Sequence, residues 1–298
     1  MLRRVPIACV AAATLVAAGP PAALAQGAKK VFICADLEGI SGVAGPEQTG
    51  GAGPEYARAR KLMADDVNAA IRGAAAGGAT EFVVIDSHGS GRNLLADDLD
   101  PRAHLISYNF RRFGMMEGLD DTFDAVLFIG NHAKAGSPVG VFAHTQNGRI
   151  RDVQINGQSV GEGGMNSLYA AWFGVPVVLV TGDQVAVAQV KEQAPDAVGV
   201  VVKRALNRHA VDLRPLAETR AEIEKAARTA VAAARRIPSR RSGPFRIQVW
   251  YTDPDVPEIA ESLPGVERPT PDSLAFSADE LPRAYAIYRV LYRHIDPQ

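Results

Sequence analysis

Two carboxylates stand two residues apart in Asp36-Leu37-Glu38-Gly39, directly after the apolar run Val31-Phe32-Ile33. Phe82-Val83-Val84-Ile85 runs into Asp86-Ser87-His88-Gly89, and Ala125 to Ile129 runs into Gly130-Asn131-His132-Ala133. Glu162 opens the segment after a second Asn-Gly-containing stretch, and His144 lies twelve residues beyond His132. Each residue alone has an ordinary use. A carboxylate at a strand end caps a helix or shapes a turn, and a single histidine sits on a surface or in a packed corner. Together they form a set of imidazoles and carboxylates without thiolates, all at the ends of apolar runs. Burying such carboxylates unpaired is costly, and a divalent cation offsets that cost. The donor set suits zinc, and less strongly manganese or iron. Five ligands of these types exceed the three protein ligands of a usual catalytic zinc, and with a bridging carboxylate they can hold two metals.

The elements that must position these residues follow from periodicity. Lys30–Ala35, Phe82–Ile85, Ala125–Ile129 and Val175–Val180 read as buried strands. A helix is expected from Pro54 to Ala76, with Met63, Val67, Ala70, Ile71 and Ala74 on one face and Gly77-Gly78 as its stop. Asn156-Gly157 between Arg151–Ile155 and Gln158–Val160 is a hairpin signal. Helices follow at 163–173 and 215–236. Residues 245–251 and 273–276 read as strands around a Pro-rich stretch, and the last helix is expected behind a capping box at Ser277 and Glu280. The fold class is therefore α/β: a mostly parallel sheet covered by helices, with a smaller C-terminal α+β subdomain. The expected division is 1–25 signal peptide, 26–240 metal-binding catalytic domain and 241–298 C-terminal subdomain. In such sheets ligands bind beyond the carboxyl ends of the strands, where the candidate residues fall.

Of the 298 residues, 47% are hydrophobic, and the charges nearly balance at a net −1, which excludes a disordered chain and a basic nucleic-acid surface. Arg3 and Arg4, the apolar run from Val5 to Ala18 and Ala23-Leu24-Ala25 have the three parts of a secretory signal peptide, with cleavage expected after Ala25. The run is too short to span a bilayer. The expectation is an exported, periplasmic protein without a stable membrane anchor. Cys9 leaves with the signal, so Cys34 is the lone cysteine of the mature chain, and a buried apolar role is expected for it.

Several motifs in order resemble those of the DppA-like zinc D-aminopeptidases: Asp36 to Gly42, Asp86-Ser87-His88, Met116 to Phe123, Gly130-Asn131-His132-Ala133, and Asn156-Gly157 through Val160-Gly161-Glu162 and Asn166. The resemblance covers nearly all of the mature chain. It implies an α/β fold, five ligands to two zinc ions at Asp36, Glu38, His88, His132 and Glu162, and Asp36 as the bridge. It implies that His144 is the catalytic histidine, described in the family as the nucleophile. It further implies removal of N-terminal D-amino acids, D-Ala above all, from short peptides, and a homo-oligomer in the form of a decameric ring. Thr145-Gln146 stand where the family pattern has Ser-Met. On chemical grounds a metal-bound hydroxide is the expected nucleophile, with His144 as proton shuttle or stabiliser of the tetrahedral intermediate.

The competing readings are an exported metallohydrolase of another amide or ester, a non-catalytic peptide-binding protein, and a structural metal site. The last is disfavoured by the absence of cysteine ligands. Asp86 is open between a partner of the ligand shell and a turn former. Asn131 is a candidate pocket residue. Asp120 and Asp121 are expected in a turn, and His104, His209 and His294 in surface or structural roles.

Overall fold

A computed structural model describes residues 29–293. The signal-peptide expectation and His294 fall outside these residues. The chain runs through β1 (Lys29–Ala35), α1 (Pro46–Thr49), α2 (Tyr56–Ala76), β2 (Ala79–Asp86), β3 (Ala103–Ile106), β4 (Ala125–Asn131), β5 (Ile150–Ile155) and β6 (Gln158–Ser159). It continues through α3 (Glu162–Trp172), β7 (Val177–Asp183), α4 (Gln184–Gln193), β8 (Val198–Ala205), β9 (Val211–Leu213) and α5 (Leu216–Ala233). The last elements are β10 (Phe245–Tyr251), α6 (Asp255–Ala260), β11 (Glu267–Thr270), β12 (Ser273–Ala278) and α7 (Leu281–Arg293).

Seven strands form one sheet in the order β3-β2-β1-β4-β7-β8-β9, all parallel except for the antiparallel edge strand β9. The central strands are buried on both faces, so they read as continuous apolar runs rather than alternating ones. Alternate residues nonetheless feed two different cores. Val31, Ile33 and Ala35 of β1 join the apolar faces of α2 and α5, while Phe32 and Cys34 join the core on the opposite face. Gly73 lets α2 and α5 meet: a Cβ there would lie 2.1 Å from the Glu224 carbonyl oxygen.

The opposite face is covered by α3, α7 and a second, antiparallel sheet in the order β11-β12-β10-β5-β6. β5 and β6 are the hairpin around Asn156-Gly157, both at positive φ as such a turn requires. Because β10 pairs with β5, this sheet joins strands from both sides of residue 240. No helix among the described residues is long and apolar enough to cross a membrane.

Some expected elements shift. The first long helix starts at Tyr56, with Pro54 in the preceding turn. Ser277 pairs with Arg246 inside β12 and so does not cap the last helix; the Ala284 amide donates to the Glu280 carbonyl, which opens it. The Pro-rich stretch holds α6 and β11. Strands β3, β8 and β9 and helix α4 are additions that the sequence pattern did not reveal. β3 and β9 are only four and three residues long, which gives periodicity little to act on.

Candidate metal centre

The strand order reverses between β1 and β4: the chain proceeds outward through β2 and β3 on one side, then returns to place β4 on the other. This is the topological switch point at which α/β sheets open a crevice. Asp36 leaves β1 and His132 leaves β4 at this point, while His88 follows the neighbouring β2. The two strand ends are tied together, with Asp36 N donating to the Ile129 carbonyl at 2.8 Å and Gly39 N to that of Gly130 at 2.7 Å. Glu162 arrives from the other sheet, as the first residue of α3 after the β5–β6 hairpin. His144 sits in the loop between β4 and β5.

All five predicted ligands and His144 converge. The Asp36 carboxylate faces two imidazoles with its two oxygens: Oδ1 lies 3.5 Å from His88 Nδ1 and Oδ2 lies 3.4 Å from His132 Nε2. Glu38 Oε2 is 2.8 Å from His88 Nδ1, and Glu162 Oε1 is 3.4 Å from His132 Nε2. The far nitrogen of each histidine is engaged by backbone. His88 Nε2 is 2.8 Å from the Thr49 carbonyl, and His132 Nδ1 is 3.0 Å from that of Ala133. With those carbonyls as acceptors, His88 Nδ1 and His132 Nε2 are the nitrogens turned to the carboxylates. Within this cluster, donor atoms of Asp36, Glu38 and His132, and separately of His132, His144 and Glu162, lie within 4.8 Å of one another.

His144 stacks on His132, with ring centroids 4.0 Å apart and planes 11° from parallel. Its Nδ1 is 2.6 Å from the Phe142 carbonyl, so Nε2 is the free lone pair, 3.9 Å from both Glu38 Oε1 and Glu162 Oε1. Phe142 and Gln146 flank it at φ of 58° and 64°, a left-handed backbone that non-glycine residues adopt at a cost. The Gln146 amide donates to Glu162 Oε1 at 2.6 Å, so this strained turn also holds the Glu162 carboxylate.

The electrostatics are those of a crowded, desolvated cluster. Burial and then the Glu38 charge push the Asp36 carboxyl up to about 7. Burial is the largest single influence on Glu38 and acts against its ionised form, but the His88 charge and hydrogen bond together with the His132 and His144 charges outweigh it and hold that carboxyl well below its usual range. Burial opposes charge on His88 and His132, yet the neighbouring carboxylates, Glu38 and Glu162 foremost, push them up to about 12 and about 10. Burial and the adjacent His132 push His144 down instead. Three carboxylates and three imidazoles, all buried but the part-exposed His88 and His144, fit divalent metal: their donor atoms converge, and their mutual pairing is what a cation would replace.

The cluster opens on a cavity of about 210 Å³ lined by Asp36, Glu38, His88, His144 and Glu162 together with Asn109, Gln146, Asn147, Tyr292 and Arg293. It is smaller than a pocket for a drug-sized ligand, which suits a short polar molecule. Asn131 does not line it; its amide lies against Gly163 of α3. Asp86 resolves as a loop former, its carboxylate accepting from the Asn93 and Leu94 amides at 2.5 and 2.7 Å. Asp120 accepts from the Thr122 amide, as a turn residue does, and His104 and His209 are exposed. Asn109, Asn147, Tyr292 and Arg293 carried no motif and become visible only where the loops and α7 meet over the cavity.

An α/β fold with buried imidazoles and carboxylates converging at a switch point, under a small polar cavity, defines a metallohydrolase. Residues 29–290 match the peptidase M55 D-aminopeptidase family model. The chain is 39% identical over 199 residues to the D-aminopeptidase of Bacillus subtilis (strain 168), covering 66% of this chain and 72% of that protein. It also superposes with a TM-score of 0.84, at 31% identity, on the solved Zn-dependent D-aminopeptidase DppA from Bacillus subtilis, described as a self-compartmentalizing protease; the match covers 89% of this chain and 97% of that one. The chain belongs to the M55 D-aminopeptidase family and is a metal-dependent peptidase.

Proposed function

We propose that the protein is a two-zinc aminopeptidase that removes N-terminal D-amino acids, of the D-Ala type, from short peptides. One observation carries the two-metal reading: the two oxygens of Asp36 face different imidazoles. Asp36, Glu38, His88, His132 and Glu162 would hold the two ions, with Asp36 placed to be shared between them. Bound zinc supplies Lewis acidity, which polarises a carbonyl and lowers the pKa of a coordinated water.

The chain's own residues do the rest. The Thr49 and Ala133 carbonyls fix the ring planes of His88 and His132. The Phe142 carbonyl holds His144 with Nε2 toward the cavity. From there Nε2 takes a proton from the attacking water and delivers it to the leaving amine as the C–O bond forms and the C–N bond breaks. Asn109 and Asn147 line the same cavity with their amides already held, Asn109 between the Gly89 carbonyl and Arg289 and Asn147 between the Tyr292 carbonyl and the Arg149 amide. Each keeps one further donor and acceptor for a peptide backbone. The family member's self-compartmentalizing assembly supports a homo-oligomer, with a decameric ring as the form proposed here. Residues 1–25 are proposed as a signal peptide that delivers the enzyme to the periplasm.

The test pairs metal content with hydrolysis of D-Ala-D-Ala and L-Ala-L-Ala, before and after chelation. Two zinc ions per chain and D-selective, chelator-sensitive cleavage are expected. Two zinc ions without D-peptide cleavage would move the function to another amide or ester. No bound metal, and no activity that depends on one, would overturn the reading altogether.

A further inference from the structure

We infer that Lys203, outside the metal-binding set and on a strand that does not pair with β1, is a positioning residue for the metal centre. Lys203 lies on β8 and is 1% exposed. Its ammonium donates to three main-chain carbonyls: Glu38, Ile40 at 3.2 Å and Val43 at 2.6 Å. An ammonium has three donors, and all three are used on one six-residue stretch. Among the described residues it forms no ion pair. A lysine buried in this way carries a desolvation cost that burial alone holds against it, pushing its pKa down to about 8. An apolar side chain would fill the same space without that cost. What the ammonium supplies instead is a fixed path for the chain that carries Glu38.

That path needs fixing. Residues 36 to 49 leave β1, provide Asp36 and Glu38, and return to place the Thr49 carbonyl against His88 Nε2. Apart from a four-residue helix they have no regular structure, and several of their backbone polar groups are satisfied by side chains. Asp66 accepts from the Ser41 amide at 2.9 Å, and Gln48 bridges the Gly42 carbonyl and the Ala44 amide at 3.1 and 2.6 Å. Lys203 holds the half of the segment nearest the carboxylates, including the carbonyl of Glu38 itself. Through this clamp, β8 sets where the Glu38 carboxylate stands and, further along, how His88 is oriented.

The inference rests on the reading of Asp36, Glu38 and His88 as ligands. Its test is zinc affinity, measured by competition with a chelator on the full-length protein, together with the melting temperature of the metal-free form. Lys203→Met is compared with Val202→Ala, which opens a cavity at a fully buried neighbour on the same strand. Lys203→Met is expected to weaken zinc binding about 10- to 100-fold, the usual effect of losing a group that orients ligands. Val202→Ala should lower the melting temperature and leave zinc affinity as in the wild type. Lys203→Arg keeps a cation but replaces the three-donor head with a planar fork, and it is expected to fold and to bind zinc several-fold more weakly. Wild-type affinity in Lys203→Met, or in Lys203→Arg should the first variant not fold, overturns the inference alone. Affinity that tracks melting temperature across all variants, Val202→Ala included, also overturns it. A wild-type protein that binds no zinc overturns the ligand reading and this inference with it.

Discussion

At Gly39 an added Cβ would stand 2.1 Å from the Asn131 carbonyl oxygen, and at Gly130 one would stand 2.0 Å from that of Asp36. Both distances are far below contact, and the obstructing atoms are backbone, which cannot swing aside. The two glycines therefore let β1 and β4 end close enough for Asp36 to face His132. Gly39→Ala is expected to destabilise by about 3 kcal/mol, the upper end for overpacking, and to lower zinc content. Urea unfolding and metal analysis check this; normal zinc content in a destabilised protein would refute the link. The same scale separates ligands from the residue above them. Asp36→Ala should lose zinc, whereas His144→Ala should keep it and lose turnover by about 10²- to 10⁴-fold. Equal metal loss in both variants would make His144 a ligand, and a trapped covalent adduct on His144 would make it the nucleophile.

Helix α4 shows how an element can govern a loop on the other side of the cluster. Asp183 caps it, with Oδ1 accepting from the Val185 and Ala186 amides at 2.9 and 2.8 Å. Its Oδ2 accepts from the buried Val141 amide at 2.9 Å, in the loop that leads to His144. Removing this carboxylate deletes a helix cap and leaves a buried N–H unpaired. Asp183→Ala is expected to cost about 2–3 kcal/mol, and to lower kcat with zinc content intact. The measurement is kcat on zinc-saturated protein beside chemical denaturation; unchanged kcat would show that the cap serves the helix alone. Helix α3 acts more directly. Its first turn carries Glu162, where the helix dipole favours a carboxylate, and the β5–β6 hairpin sets where that turn begins.

At the scale of the molecule, the proposed ligands come from four separate segments: the ends of β1, β2 and β4 and the start of α3. They tie the large sheet to the side that carries the second one. A metal that binds this arrangement, and not the unfolded chain, stabilises the whole fold by mass action, by about 2.7 kcal/mol per site at a hundredfold excess over Kd. Zinc should accordingly raise the melting temperature and a chelator should lower it. Identical melting with and without zinc would mean that the cluster forms no metal site. Assembly is checked by light scattering on the purified protein; a monomer at every concentration would refute the proposed ring.

The sequence by itself determined the class of fold and the chemistry of the site. Val31–Ile33, Phe82–Ile85 and Ala125–Ile129 are apolar at every position, the pattern of strands covered on both sides. Asp36, Glu38, His88 and His132 were legible because each directly follows such a strand, and Glu162 because a hairpin and a helix bracket it. What lay between was not legible. β3, β8 and β9 are short or lie at the sheet's flank, and α4 has only a weak apolar stripe. The Asp183 contact with Val141, the clamp at Lys203 and the cavity wall of Asn109, Asn147, Tyr292 and Arg293 were decided by the tertiary structure alone. Their partners are tens to hundreds of residues away, as Lys203 is from Glu38. Local periodicity reports which face of an element is buried; only the assembled sheet decides which distant atoms that face meets.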